Sequence, residues 1–314
     1  MWGRALKDNY LITICGPTGI GKTDWAIRLA LHYRTEILSA DSRQFYREMK
    51  IGTAVPAADD LARVPHHFIQ HRSITEPYTA GDFQREAMAL LSELFKKHTL
   101  VILVGGSGLF LDAVTKGLDI FPEVPPGIRE ELNQAYREKG IEVLQELLAR
   151  HDPEYFQVVD RNNPQRLVRA LEVCLGSGKP YSSFKGKRKA PAEFRHIPLG
   201  ITAPREVVYE RIDQRVDQMM ELGLLEEAEA LYPQRNLSAL QTVGYQELFA
   251  YMDGREDLKS AVEQIKKNTR RFAKRQGTWF RKDTSIHWIP YNAETEVAIR
   301  YIDGKLENIT DESN

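Results

Sequence analysis

The sequence predicts an α/β protein with a doubly wound parallel sheet of the P-loop NTPase type, a helical insertion and additional C-terminal helices. Three observations predict it. A glycine-rich octet, Gly16-Pro17-Thr18-Gly19-Ile20-Gly21-Lys22-Thr23, follows the apolar run Tyr10-Leu11-Ile12-Thr13-Ile14-Cys15 and opens a helical segment, Asp24-Trp25-Ala26-Ile27-Arg28-Leu29-Ala30. This is the strand, loop and helix setting that the pattern G-x-x-x-x-G-K-[ST] requires. Next, Leu100-Val101-Ile102-Leu103-Val104 is apolar without alternation, as a parallel strand buried on both faces should be. Finally, strand and helix patterns alternate through the first third of the chain, which is how a doubly wound sheet is written.

Taken in order, the second strand is expected at Thr35-Glu36-Ile37-Leu38-Ser39-Ala40, ending at Asp41-Ser42-Arg43-Gln44. Residues 79–97 have helical periodicity, with Thr79 as N-cap and Asp82 in the first turn. Pro122-Glu123-Val124-Pro125-Pro126 breaks the texture, and residues 128–176 read as almost wholly helical. We therefore expect a helical insertion over 118–193, carried on a core of 1–117 and 194–314. After a strand around residues 196–201, helices are expected over 204–222, 224–231, 240–252 and 256–280. A last strand at 286–289 and a frayed acidic tail over 307–314 complete the reading.

Composition bounds the function. The 314 residues are enough for a large core and more than one domain. No apolar run reaches membrane-span length, so no membrane is expected as a partner. Met1-Trp2-Gly3-Arg4 lacks a cleavable signal pattern. Cys15 and Cys174 make no metal or redox spacing and suit core thiols in a reducing cytoplasm. Net charge is -1, yet the basic residues are clustered.

In a P-loop, backbone N–H groups and the helix N-terminus hold phosphate, Lys22 neutralises it, and the Thr23 hydroxyl binds Mg²⁺. Asp41, at the end of the second strand, is a general base, a holder of Mg²⁺ through water, or an N-cap. The third strand ends in Gly105-Gly106-Ser107-Gly108 instead of the Walker-B Asp usual in NTPases. Ser107 is an N-cap or a second phosphate-oxygen donor. Lys266-Lys267, Arg270-Arg271 and Lys274-Arg275 recur every four residues, with Trp279, Phe280, Arg281 and Lys282 following and no acidic residue between. Basic residues interleaved with aromatics suit a nucleic-acid backbone and stacked bases, and Lys185-Gly186-Lys187-Arg188-Lys189 offers a second contact. Arg166 and Arg169, like Arg211 and Arg215, share a helix face and either grip phosphate or form salt bridges. His66, His67 and His71 match no zinc motif.

Together these segments, with Ile51-Gly52-Thr53-Ala54, Pro65-His66-His67, Asn163-Pro164-Gln165-Arg166, Val243-Gly244-Tyr245 and Lys274-Arg275-Gln276, resemble bacterial tRNA dimethylallyltransferases, the tRNA isopentenyltransferases. The likeness runs over residues 10–282. It implies transfer of a dimethylallyl group from dimethylallyl diphosphate to N6 of the adenosine at tRNA position 37, by a monomer using Mg²⁺. It further implies that residues 16–23 hold the diphosphate with Arg211 and Arg215, that Asp41 is the base, and that Lys22 and Ser107 assist the departing diphosphate. The tRNA anticodon stem-loop would meet Asp41, Ser42, Arg43, Gln44, Ser107, Arg129, Gln165, Arg166, Leu167, Val168 and Arg169. Gln241, Thr242, Val243, Gly244, Tyr245, Gln246, Lys274, Arg275, Gln276, Trp279 and Arg281 would complete that surface. Two departures stand out: Ser107 where the family has threonine, and Val55 where it commonly has lysine. The rival readings are a P-loop kinase of small molecules or nucleotides, an RNA-binding ATPase, and an adenylate isopentenyltransferase. The basic stripe speaks against a small acceptor, and the absent Walker-B Asp against an ATPase.

Overall fold

The structure, a computed structural model, describes residues 8–188 and 193–311. The segment Met1-Trp2-Gly3-Arg4, Lys189 of the basic loop and the last three residues of the acidic tail lie outside them. The described residues fall into two compact units, one comprising Met1–Thr115 with Pro191–Asn314 and the other Lys116–Ala190.

In the first unit the strands are β1 (Tyr10–Cys15), β2 (Ile37–Ser39), β3 (His66–His67), β4 (Leu100–Gly105), β5 (Arg195–Thr202) and β6 (His287–Pro290). Among the described residues they form one parallel sheet in the order β3-β2-β4-β1-β5-β6. Helices α1 (Lys22–Tyr33), α2 (Ala58–Arg63), α3 (Ala80–Leu94) and α4 (Gly108–Thr115) alternate with the first strands. Every residue of β1 and β4 is buried, as the unbroken apolar run predicts. Successive side chains point to opposite faces, so Ile12 and Ile14 join one core with α1 while Leu11 and Cys15 join another with α3 and α4. Thr79 caps α3 in a reciprocal capping box with Asp82.

The middle of the chain supplies the second unit: α5 (Ile128–Lys139), α6 (Glu142–His151), α7 (Pro153–Val158) and α8 (Pro164–Ser177). Gly140 at φ 80° ends the first helix, and Asp152-Pro153 and Asn163-Pro164 start the last two. Leu132, Leu144, Leu148, Leu167 and Leu171 form its own core.

The first unit resumes with α9 (Arg205–Glu221), α10 (Leu224–Leu231), α11 (Tyr245–Met252), α12 (Leu258–Phe280) and α13 (Thr295–Asp311). Here the structure corrects two expectations. The helix expected over 240–252 begins only at Tyr245, because Gly244 at φ 101° sets its N-terminus and a short 3-10 turn precedes it. The expected tail continues as α13 through Asp311, since Ala298, Ile302 and Leu306 bury a helical stripe against the core shared with α1. Tyr33 of α1 donates to Asp303 Oδ1 at 2.9 Å across that contact. Edge strand β3 and α2 lie in a stretch for which no element was expected.

Candidate active site

Strand order assembles the site. Because β4 pairs with both β1 and β2, the carboxyl ends of three adjacent strands bring loop 16–21, Asp41 and Gly106-Ser107 side by side. This is where open α/β sheets bind ligands. Gly21 caps α1 at φ 94°, a backbone conformation that a side chain would strain. Behind it the first turn of α1 leaves N–H groups without intrahelical partners at the positive end of the helix dipole.

Lys22 Nζ donates to the Pro17 carbonyl at 2.8 Å. The residue is half-buried and lines the cavity beside the loop. Burial pushes its ammonium down to about 8, Asp41 pulling the other way and Arg215 adding to the shift. Helix α9 supplies two arginines, four residues apart, to the same loop. Arg211 Nη1 donates to the Ile20 carbonyl at 3.4 Å while its guanidinium lies 4.6 Å over the Tyr291 ring. Arg215 Nη1 donates to Thr18 Oγ1 at 3.3 Å, and burial holds its pKa below the usual arginine value, with Asp41 opposing.

Asp41 is half-buried. Its Oδ1 accepts from Arg43 N at 3.1 Å, closing a local turn. Ser107 Oγ accepts from Ser42 N at 3.2 Å and lies 3.1 Å from Ser42 Oγ, so this hydroxyl ties the two strand-end loops together.

Two cavities meet here. One, of about 450 Å³, is lined by Thr18, Gly19, Gly21, Lys22, Thr23, Arg211 and Arg215. The other, of about 390 Å³, is lined by Ser42 and Ser107 and by a long apolar wall including Ile212, Val216, Met219, Leu224, Ile265 and Phe272. Asp41, Thr18 and Arg215 border both. Sequence reasoning missed that apolar wall. Its trace was the i, i+4, i+7 spacing of Ile212, Val216 and Met219 beside the paired arginines, a pattern shared with any buried helix face. Also unforeseen is Glu227, whose carboxylate accepts from the N–H groups of Lys50, Ile51 and Gly52 at 2.8–2.9 Å and from Tyr245 Oη at 2.7 Å. It anchors the 50–54 segment, from which Gly52, Thr53 and Ala54 line the apolar cavity.

A family model described as IPP transferase matches residues 44–283. The chain belongs to that family. This IPP transferase is 55% identical to the tRNA dimethylallyltransferase of Christiangramia forsetii over 95% of the chain and 99% of the relative. It is 53% identical to that of Flavobacterium johnsoniae, over 96% and 98%. Among solved structures, the tRNA isopentenylpyrophosphate transferase of Bacillus halodurans matches at 35% identity and TM-score 0.73, covering 98% of this chain and 99% of that one. A eukaryotic dimethylallyltransferase acting on tRNA shares the fold at TM-score 0.80 and 23% identity, over 96% and 80%.

The residues grouped above as RNA contacts separate by exposure. In the α12 region of this IPP transferase, Lys274, Arg275 and Arg281 are exposed, and Trp279 keeps 42% of its surface. Arg271, Lys274, Arg275, Thr278, Trp279 and Lys282 line one surface groove. Lys266 and Arg270 do not belong to it. They turn to α9, where Lys266 pairs with Asp217 at 2.7 Å and Arg270 with both oxygens of Asp213. Gln241 and Gln246 are exposed and bonded to each other at 2.8 Å; Thr242 and Val243 are half-buried.

Five of these side chains turn inward. Gln44 donates to the carbonyls of Thr53 and Ala54, and Tyr245 sits under Gly52. Leu167 and Val168 pack in the core of the second unit, as their helical stripe demands. Gln276 is only 7% exposed, bonded between two loops. Gly244 is buried as well, and Arg43 donates to the Ala239 carbonyl at 3.1 Å. In the second unit Gln165 and Arg166 are exposed, whereas Arg129 and Arg169 both pair with Glu172. Arg169 also lies 5.3 Å over the Phe121 ring. His66, His67 and His71 lie apart from both cavities, with His67 bonded to Glu36.

Proposed function

We propose that this chain is a tRNA dimethylallyltransferase, moving a dimethylallyl group from its diphosphate to N6 of the adenosine at tRNA position 37. The observation that supports this best is the junction at Asp41: a polar cavity that holds the P-loop with Lys22, Arg211 and Arg215 on one side, a largely apolar cavity on the other, one carboxylate bordering both. The P-loop side suits the diphosphate, and the apolar side suits the prenyl chain and a flipped adenine.

In this reading the allylic C–O bond breaks and its electron pair leaves on the diphosphate. Lys22, Arg211, Arg215 and the loop N–H groups meet the charge that grows there, so they act most strongly in the transition state. The Ser107 hydroxyl donates toward the bridging oxygen. The N6 lone pair forms the new C–N bond, and the N6 proton passes to the Asp41 carboxylate, which relieves a weak nucleophile of charge. The Thr23 hydroxyl lines the same cavity and is the hard-oxygen donor on this chain that would hold Mg²⁺. Bound there, the ion would neutralise diphosphate charge.

For RNA, the exposed residues of the α12 groove supply phosphate contacts and a stacking ring at Trp279, and Gln165 and Arg166 add a polar, basic face on the second unit. We read the acceptor as the anticodon stem-loop. No helix of the described residues is long and apolar enough to cross a membrane. Both cysteines are free and buried, which suits a reducing cytoplasm, and we take the working form to be a monomer.

The test is a transfer assay with labelled dimethylallyl diphosphate, purified protein and tRNA, with and without ATP, and with AMP replacing tRNA in a further arm. Label should enter tRNA without ATP and leave AMP untouched. A strict ATP requirement would point to the kinase, and labelled AMP to the adenylate enzyme.

A further inference from the structure

We propose that Gln276 is a positioning residue for the transfer reaction, holding the diphosphate loop and the Ser107 loop in register and linking both to the RNA-facing helix. The inference rests on the reading of residues 16–23 as the diphosphate site. Gln276 lies 258 residues from Thr18 in sequence, yet its Oε1 accepts the Thr18 N–H at 2.8 Å and its Nε2 donates to the Gly106 carbonyl at 2.9 Å. One buried amide therefore joins the loop after β1 to the loop after β4. A charge-free side chain suits the place, because each of its two ends meets one backbone group with the right polarity.

The neighbouring glycine records the same contact. A Cβ on Gly106 would stand 2.4 Å from Gln276 Nε2, with no other atom nearer than 3.4 Å. Position 106 is kept free of a side chain by Gln276, since no positive φ demands glycine there. Two residues further on is Ser107's own helix start, and one residue before Gln276 is Arg275, which lines the exposed groove together with Lys274 and Trp279. A shift of α12 on binding RNA would thus reach the P-loop through Gln276, and the Ser107 loop through Gln276 together with Trp279, which packs on Gly108. Misplacing reacting groups by about 1 Å costs roughly 100-fold in rate, so the register matters more for turnover than for binding.

Two variants test this in the full-length protein. Gln276→Met keeps the volume and removes both hydrogen bonds. Gly106→Ala keeps Gln276 and displaces its amide, a perturbation at the end of a flexible side chain that leaves the fold intact. Single-turnover transfer is measured at saturating dimethylallyl diphosphate and tRNA, tRNA Kd by filter binding, and folded fraction by circular dichroism. Expected for both variants are a rate lower by about 10–100-fold per folded molecule and a tRNA Kd within about twofold of wild type. Combining Gly106→Ala with Gln276→Ala, which makes room for the added methyl, should cost less than the sum of the single changes. Unchanged single-turnover rates would overturn the proposal, as would a weakened tRNA Kd with unchanged rate, which would make Gln276 an RNA contact. Loss of rate only in proportion to loss of folded protein would reduce it to a structural brace. If Gln276→Met does not fold, Gly106→Ala decides. Wild-type protein inactive in transfer would sink the functional reading itself, independently of either variant.

Discussion

Lys22 carries its proton loosely. Its ammonium is pushed down to about 8 by burial, against an ordinary lysine value of 10.5. Between those values the unfolded chain binds the proton better than the folded one, so this group makes stability rise with pH across that window. A diphosphate arriving beside the ammonium restores its pKa. Binding of dimethylallyl diphosphate at pH 8.5 should therefore take up more than about half a proton per molecule, read from calorimetry in buffers of different ionisation enthalpy. Zero uptake would mean that Lys22 stays charged throughout. Asp41 makes a different prediction: Asp41→Ala should lower turnover by roughly 10²–10⁴ with tRNA affinity nearly unchanged, and normal turnover would remove it as the base. At this scale the sequence was legible wherever chemistry sits at the end of a strand. Lys22, Thr23, Asp41 and Ser107 are found by counting from an apolar run. Gln276 was legible only as one polar residue in a basic helix, because its partners come from loops far away in the chain.

Among the elements, α12 shows how far periodicity carries. The four-residue repeat identifies a basic helix, but a repeat of pairs occupies two neighbouring faces. One face turns to Asp213 and Asp217 of α9, whose acidic residues sit 57 and 49 positions away from their partners. Lys274→Ala with Arg275→Ala should weaken tRNA binding and flatten its log–log salt dependence by roughly 0.7–0.9 per lost phosphate contact. Lys266→Ala with Arg270→Ala should leave that slope in place and lower fold stability by about 1 kcal/mol. Filter-binding titrations over salt, with denaturant melts, separate the two outcomes. The 50–54 segment is the other case. Removing the acceptor in Glu227→Ala leaves three backbone N–H groups and the Tyr245 hydroxyl without it, at a cost of about 1–3 kcal/mol. Faster hydrogen exchange at Lys50, Ile51 and Gly52 would register the loosening, and unaltered protection would show that other contacts hold the segment.

For the molecule as a whole, the sheet order was implicit in the sequence but its edges were not. Buried strands announce themselves by composition, whereas β3 is two histidines long and α2 is a helix with no buried residue. The sequence changes texture after Lys116-Gly117-Leu118, and the core of the second unit gives the change a physical reason: Leu132, Leu144, Leu148 and Leu171 satisfy one another without the sheet. A variant with residues 118–188 replaced by a short Gly/Ser linker should keep its circular dichroism per remaining helix and its diphosphate binding. Its tRNA affinity should fall by at least about tenfold. Retained affinity would confine RNA recognition to the first unit.

The contact of α1 with α13 has a consequence in time. β1 and its loop are synthesised well before the surface that supports α1, from Ala298 to Leu306. Until those residues emerge, Trp25, Ile27 and Leu29 have no complete cover, and an early P-loop is a loop without its backing. A nascent chain stalled before α13 is therefore expected to need a chaperone, and a truncated one to be cleared by proteases before it can sequester diphosphates.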